Sequence, residues 1–109
     1  MSTITTHVLD TVFGKPAAGV AVRLQQLVEG RWVSVSTGAT DADGRCRDLA
    51  DSAAAGAYQL SFDTGAYFES QNRNSIYTWI SITFTCDGEA HYHLPLLLSD
   101  NSYTTYRGS

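Results

Sequence analysis

His91-Tyr92-His93-Leu94-Pro95-Leu96-Leu97-Leu98 alternates with a period of two. Leu94, Leu96 and Leu98 fall on one side of an extended chain, and His91, His93 and Leu97 on the other. One stretch therefore predicts a core-facing strand and two imidazoles on its opposite face. The same period recurs along the chain. Val20, Val22 and Leu24 oppose Ala21, Arg23 and Gln25, and residues 31–35 alternate again behind the turn at Glu29-Gly30. Tyr58, Leu60 and Phe62 oppose Gln59, Ser61 and Asp63. Residues 76–85 form the longest predicted strand, with Ile76, Ile80, Ile82 and Phe84 on one face, and residues 103–107 a last short one. Near the N-terminus Ile4, Thr6 and Val8 share a face, so His7 points the other way with Thr5 and Leu9.

Gly14-Lys15-Pro16, Asp43-Gly44, Ala55-Gly56 and Asp87-Gly88 read as turns. Asp87-Gly88, between two alternating runs, carries the signature of a hairpin. A short helix is predicted within residues 64–72, capped by Thr64 and weakened by Gly65; residues 51–55 read as a weaker helical stretch. Many short strands at even spacing predict an all-β sandwich.

The length of 109 residues fits one domain, spanning residues 1–109. Apolar residues at 43% and charged residues at 17% exclude a disordered chain and a coiled coil. A net charge of −4 argues against nucleic acid and anionic membranes as partners, since neither is met without a basic stripe. No stretch approaches the roughly 18 apolar residues of a membrane span. The N-terminus has no basic region followed by an apolar run, so no signal peptide is expected. Cys46 and Cys86 are isolated and form no metal or disulfide framework. Reduced thiols in a cytoplasmic protein are the expectation.

His7, His91 and His93 lie off the most apolar faces. Such faces are wet in a monomer and become an interface cleft in an oligomer. Two histidines two residues apart on a strand sit about 7 Å apart, close enough to share zinc, with His7 as a third ligand. No Glu or Cys stands beside them to complete a set, so no metal is expected. Asp41-Ala42-Asp43-Gly44-Arg45 resembles the start of a calcium loop but lacks the remaining ligands and the closing Glu. The C-terminus carries Tyr103, Tyr106 and Arg107, unusual anchors for a segment that ordinarily frays.

Three blocks stand in order along the chain. The first is Thr6-His7-Val8-Leu9-Asp10-Thr11 with Gly14-Lys15-Pro16-Ala17-Ala18-Gly19-Val20; the second is Thr40 to Arg45, ending Asp43-Gly44-Arg45. The third is His91 to Ser99, closing with Tyr103-Thr104-Thr105-Tyr106-Arg107-Gly108-Ser109. In these blocks the chain resembles the 5-hydroxyisourate hydrolases, the transthyretin-related enzymes of purine breakdown. The resemblance implies a transthyretin-like (prealbumin) two-sheet β-sandwich with one short helix. It implies a homotetramer, a dimer of dimers, with active sites in a channel between the dimers. The implied reaction opens a cyclic amide of 5-hydroxyisourate with water, giving 2-oxo-4-hydroxy-4-carboxy-5-ureidoimidazoline, without metal or cofactor.

Carried over by position, the catalytic residues are His7, Arg45 and His93. His7, Arg45, Tyr106 and Ser109 contact substrate, and His91 is structural. The family's Tyr-Pro-Glu type segment is replaced here by Tyr77-Thr78-Trp79. Asp100-Asn101-Ser102 stands where a proline and an aromatic are usual, placing the charge of Asp100 near the channel mouth. Two other readings compete: a small-molecule carrier on the same fold, as in the hormone-carrying transthyretins, and a purely structural sandwich module. The terminal Tyr-Arg-Gly-Ser, absent from those carriers, favours the hydrolase.

Overall fold

A computed structural model describes residues 2–109. The first strand, β1 (Ser2–Asp10), buries alternate residues from Ser2 to Asp10 and leaves Thr3, Thr5, His7 and Leu9 half-buried on the other face. Beside it runs β2 (Lys15–Pro16), then β3 (Ala21–Val28) and β4 (Arg31–Ala39) as a hairpin. The hairpin turns on Glu29 and Gly30, with φ of 51° and 77°. Two left-handed residues give a tight turn whose twist matches that of the strands. The chain continues through β5 (Arg45–Ala53), β6 (Gly56–Phe62), the helix α1 (Thr64–Ser70), β7 (Ile80–Cys86), β8 (His91–Ser99) and β9 (Ser102–Thr105).

Two sheets result. In one, β1 is central: β8 pairs with it in parallel, β2 and β5 pair with it antiparallel, and β9 pairs with β8. The other has the order β4-β3-β6-β7. Their inner faces meet in one core, Ile4, Val8, Leu96 and Leu98 against Val22, Leu24, Leu60, Phe62 and Ile80. These are the residues that the period-two reading placed on apolar faces, and their removal from water is the main force holding the sheets together.

Several expectations are corrected. The strand predicted over 76–85 begins only at Ile80, and Ile76 is 75% exposed. A strand needs a partner, and β6 ends at Phe62, opposite Ile80. The preceding residues instead wrap the helix, where Gly65 N–H donates to Thr78 O and the Thr64 hydroxyl to Tyr77 O. The helix is capped by Asp63, not Thr64: the Asp63 carboxylate accepts from Ala66 N. Gly65 fits closely there: a Cβ would meet the Thr78 backbone and side chain at 3.1–3.2 Å, so Thr78 would have to give by a few tenths of an ångström.

Residues 51–55 are not helical. Residues 51–53 close β5, where pairing of Ala50 and Ala53 with β1 overrides alanine's helical preference. Asp87-Gly88 makes no hairpin, because β7 and β8 belong to different sheets. The segment crosses between them, held by Tyr92, whose hydroxyl accepts from Asp87 N.

One polar cluster sits inside the fold. Asp10, with no exposed surface, accepts from Arg73, from the Tyr67 hydroxyl at 2.8 Å and from the backbone of Val12 and Phe13. Arg73 also binds Asp100 and packs against the rings of Phe13 and Phe68. Asp100 is thus tied to Arg73 while its side chain stays 44% exposed. Burial pushes the Asp10 carboxyl up, but Arg73, Tyr67 and the Phe13 backbone outweigh it and hold it below the usual range. The Tyr67 hydroxyl, buried against that carboxylate, is pushed up to about 12. The cluster joins the end of β1 to the helix, the loop after it and the β8–β9 turn.

Candidate active site

The outward face of β1 organises the site. Antiparallel pairing sets His7 opposite Arg45 at the start of β5, and parallel pairing sets Thr3 opposite His91 and Thr5 opposite His93 on β8. Residues of equal parity on neighbouring strands share a face, so three imidazoles and a guanidinium from distant parts of the sequence share one side of the sheet. The His7 and His93 rings lie 6.5 Å apart, and those of His91 and His93 stack at 6.1 Å.

Arg45 begins β5 directly after the turn at Gly44. The Asp41 carboxylate accepts from Asp43 N and Arg45 N and fixes that turn. Gly44 has φ +77°, and a Cβ there would sit 2.4 Å from Val8 O, so only glycine lets the turn lie this close to β1. The same approach brings the Asp43 carbonyl to His7, whose Nε2–H donates to it at 2.8 Å.

The C-terminus folds back over the site. Gly108 N–H donates to His93 O at 2.7 Å, forming a single antiparallel bridge. A Cβ at Gly108 would fall 2.7 Å from His93 Cδ2. Glycine therefore lets the tail cross the edge of the imidazole and brings Ser109 to the site. Arg107 lies over the Tyr92 ring at 4.5 Å and donates to His91 O. The sequence marked Arg107 as an anchor of the tail; Gly108 was not singled out, and its only signal was its place in the terminal block.

A cleft of about 430 Å³ opens here, walled by Thr3, Thr5, Arg45, Arg47, Asp51, His91, His93 and Ser109 among others. His7 stands beside it rather than in its wall. Tyr106, expected to contact substrate, is 52% exposed and does not line the cleft of a single chain. A larger hollow of about 550 Å³ between Gln26, Leu49 and Tyr58 contains no histidine. Chemistry, not volume, selects between them. Burial pushes the His93 imidazole below its ordinary value, and Arg45, His91 and His7 push it further the same way. It is therefore neutral near pH 7. Among the described residues no three His, Cys, Asp or Glu side chains converge as metal ligands.

A family model described as HIUase/Transthyretin family matches residues 4–108. The chain belongs to the HIUase/Transthyretin family. A mouse member named 5-hydroxyisourate hydrolase is 43% identical over 113 residues, covering 99% of this chain and 96% of its own. The solved structure of Klebsiella pneumoniae 5-hydroxyisourate hydrolase is similar with TM-score 0.89 at 41% identity, covering 100% of both chains. Sea bream transthyretin in complex with thyroxine is similar with TM-score 0.93 at 36% identity, covering 97% of this chain and 94% of that one. The expected transthyretin-like sandwich is borne out. The similar structures include both a hydrolase and a thyroxine-bound transthyretin, so fold alone does not choose between them.

Proposed function

We propose that this chain is a 5-hydroxyisourate hydrolase. The observation that carries the reading is the half-buried, neutral His93 in a cleft that also holds Arg45, with His7 beside it. A neutral imidazole takes a proton from water as the water attacks a carbonyl. The new O–C bond forms, the ring C–N bond breaks, and the proton on His93 passes to the leaving nitrogen. Arg45 stabilises the oxyanion that develops meanwhile. His7, with Nε2–H committed to the Asp43 carbonyl, keeps a lone pair on Nδ1 to orient the water. Ser109 contacts substrate from the tail. The product is the ring-opened ureidoimidazoline carboxylate, and the step requires neither metal nor cofactor.

The cleft lies on the outer face of its sheet, and among the described residues only the C-terminal tail, at Gly108 and Ser109, reaches over its edge. The edges β7 and β9 are unpaired on one side. These features support a homotetramer, a dimer of dimers, whose second subunit closes the cleft and lets Tyr106 reach substrate. The two free, buried cysteines support a reducing, cytoplasmic setting. Among the described residues no helix is long and apolar enough to cross a membrane.

The high structural similarity to thyroxine-bound transthyretin favours a carrier as the second reading. The two separate by stoichiometry. An enzyme present at a small fraction of the 5-hydroxyisourate concentration accelerates decay of the whole pool. A carrier at the same level leaves the spontaneous rate unchanged, and that result would end the hydrolase reading.

A further inference from the structure

Two threonines stand directly across from two histidines. Thr3 Oγ1 meets His91 Nδ1, and Thr5 Oγ1 lies 2.8 Å from His93 Nδ1 and 3.4 Å from His91 Nε2. The two rings stack with only 10° between their planes, so the Thr5 hydroxyl touches both. The run of contacts ends on the backbone: Thr3 Oγ1 lies 3.4 Å from Ala90 O.

Only one direction of donation satisfies every contact in the run, that end included. A carbonyl only accepts, a hydroxyl has one proton, and a neutral imidazole has one N–H and one lone pair. Thr3 donates to Ala90 O and accepts from His91 Nδ1–H. The lone pair of His91 is then on Nε2, where it accepts the Thr5 hydroxyl proton. Thr5 accepts in turn from His93 Nδ1–H, and the lone pair of His93 is left on Nε2. Run the other way, the Thr3 hydroxyl proton is spent on His91 and the hydroxyl's contact with Ala90 O is lost, although Thr3 N–H still donates to that oxygen at 3.0 Å.

We infer that Thr3, His91 and Thr5 are positioning residues that hold His93 as its Nδ1–H tautomer, leaving Nε2 bare as the base. His91 is then more than structural, although it does not touch the reacting atoms. His7 is held in the opposite tautomer by Asp43 O. During the reaction the proton of water goes to His93 Nε2, while Nδ1–H keeps donating to Thr5, and the proton leaves from Nε2 to the departing nitrogen. The catalytic consequence rests on the hydrolase reading; the tautomer does not.

The test therefore reads both. Long-range ¹⁵N–¹H spectra of the ¹⁵N-histidine-labelled protein above the His93 titration report each ring's tautomer without substrate. His93 is expected as Nδ1–H in the wild type and shifted toward Nε2–H in Thr5→Val, which keeps the shape and removes the hydroxyl. Thr5→Val is expected to lose about ten- to a hundredfold in kcat with KM within about twofold, and Thr5→Ser to restore both tautomer and rate. An Nε2–H His93 in the wild type overturns the proposal, whether or not Thr5→Val folds. So does a Thr5→Val variant with wild-type kcat, or a covalent adduct trapped on Thr5. The expected tautomers in a protein without hydrolysis would uphold the positioning and end the hydrolase reading instead.

Discussion

A histidine serves as a base at neutral pH only while it is uncharged. His93 meets that condition through burial first and the charge of Arg45 second. The sign follows: a lowered value keeps the ring unprotonated further into acid. The acid limb of kcat/KM is predicted below pH 6.5, the ordinary imidazole value, and Arg45→Gln is predicted to move it upward by removing the nearby cation. A pH–rate profile of the two proteins checks this; an unmoved limb means that Arg45 does not act on the titrating base. Gly108 is the other single residue with a sharp geometric demand. Gly108→Ala sets a methyl 2.7 Å from His93 Cδ2, so either the ring or the tail moves. Its kcat is predicted to fall about ten- to a hundredfold, with thermal stability nearly unchanged because the tail lies outside the core. Steady-state kinetics beside a melting curve test the pairing.

At the scale of elements, the Asp10–Arg73 pair ties β1 to the helix and to the β8–β9 turn. The Asp10 side chain is 0% exposed and that of Arg73 9%, so removing one partner strands a buried charge. Arg73→Ala is predicted to cost about 3–5 kcal/mol at pH 7 by urea unfolding. The carboxyl of Asp10 is lowered in the folded state, so its contribution is present above its unfolded value near pH 4. It is lost as the pH falls through the lowered folded value. The difference between wild type and Arg73→Ala should therefore narrow from pH 7 to pH 3, and a constant difference would contradict the account.

None of this cluster was legible in the sequence. Asp10 and Arg73 are 63 residues apart, and an arginine in a polar loop carries no local pattern. Strands were legible where alternation coincided with a partner, as at Val22–Leu24 and Tyr58–Phe62. Alternation at 76–79 misled because pairing is a property of two segments, and β6 had already ended. Asp87-Gly88 misled for the same reason, since a turn signal does not say which sheet the next strand joins. The parity of His7, His91 and His93 was legible, and the family blocks pointed to Arg45. The threonine partners and the clearance at Gly108 required the parallel register of β1 with β8, which no local pattern encodes.

At the scale of the molecule, the cleft faces outward and both sheets end in unpaired strands on the same subunit. An open sheet edge is a template for pairing with another chain, and an uncovered polar cleft becomes a water-excluding site only when something closes it. Light scattering behind size exclusion should give four times the 11.8 kDa chain mass. An active monomer would remove any need for a second subunit at the cleft. The cleft's chemistry is the central claim, and absorbance tests it most directly. 5-Hydroxyisourate is generated in place from urate and urate oxidase, and its decay is followed with wild type and with His93→Ala. The account predicts decay far above the spontaneous rate in the wild type and a loss of about a hundred- to a thousandfold in kcat in the folded variant. Equal rates in the two proteins would contradict it.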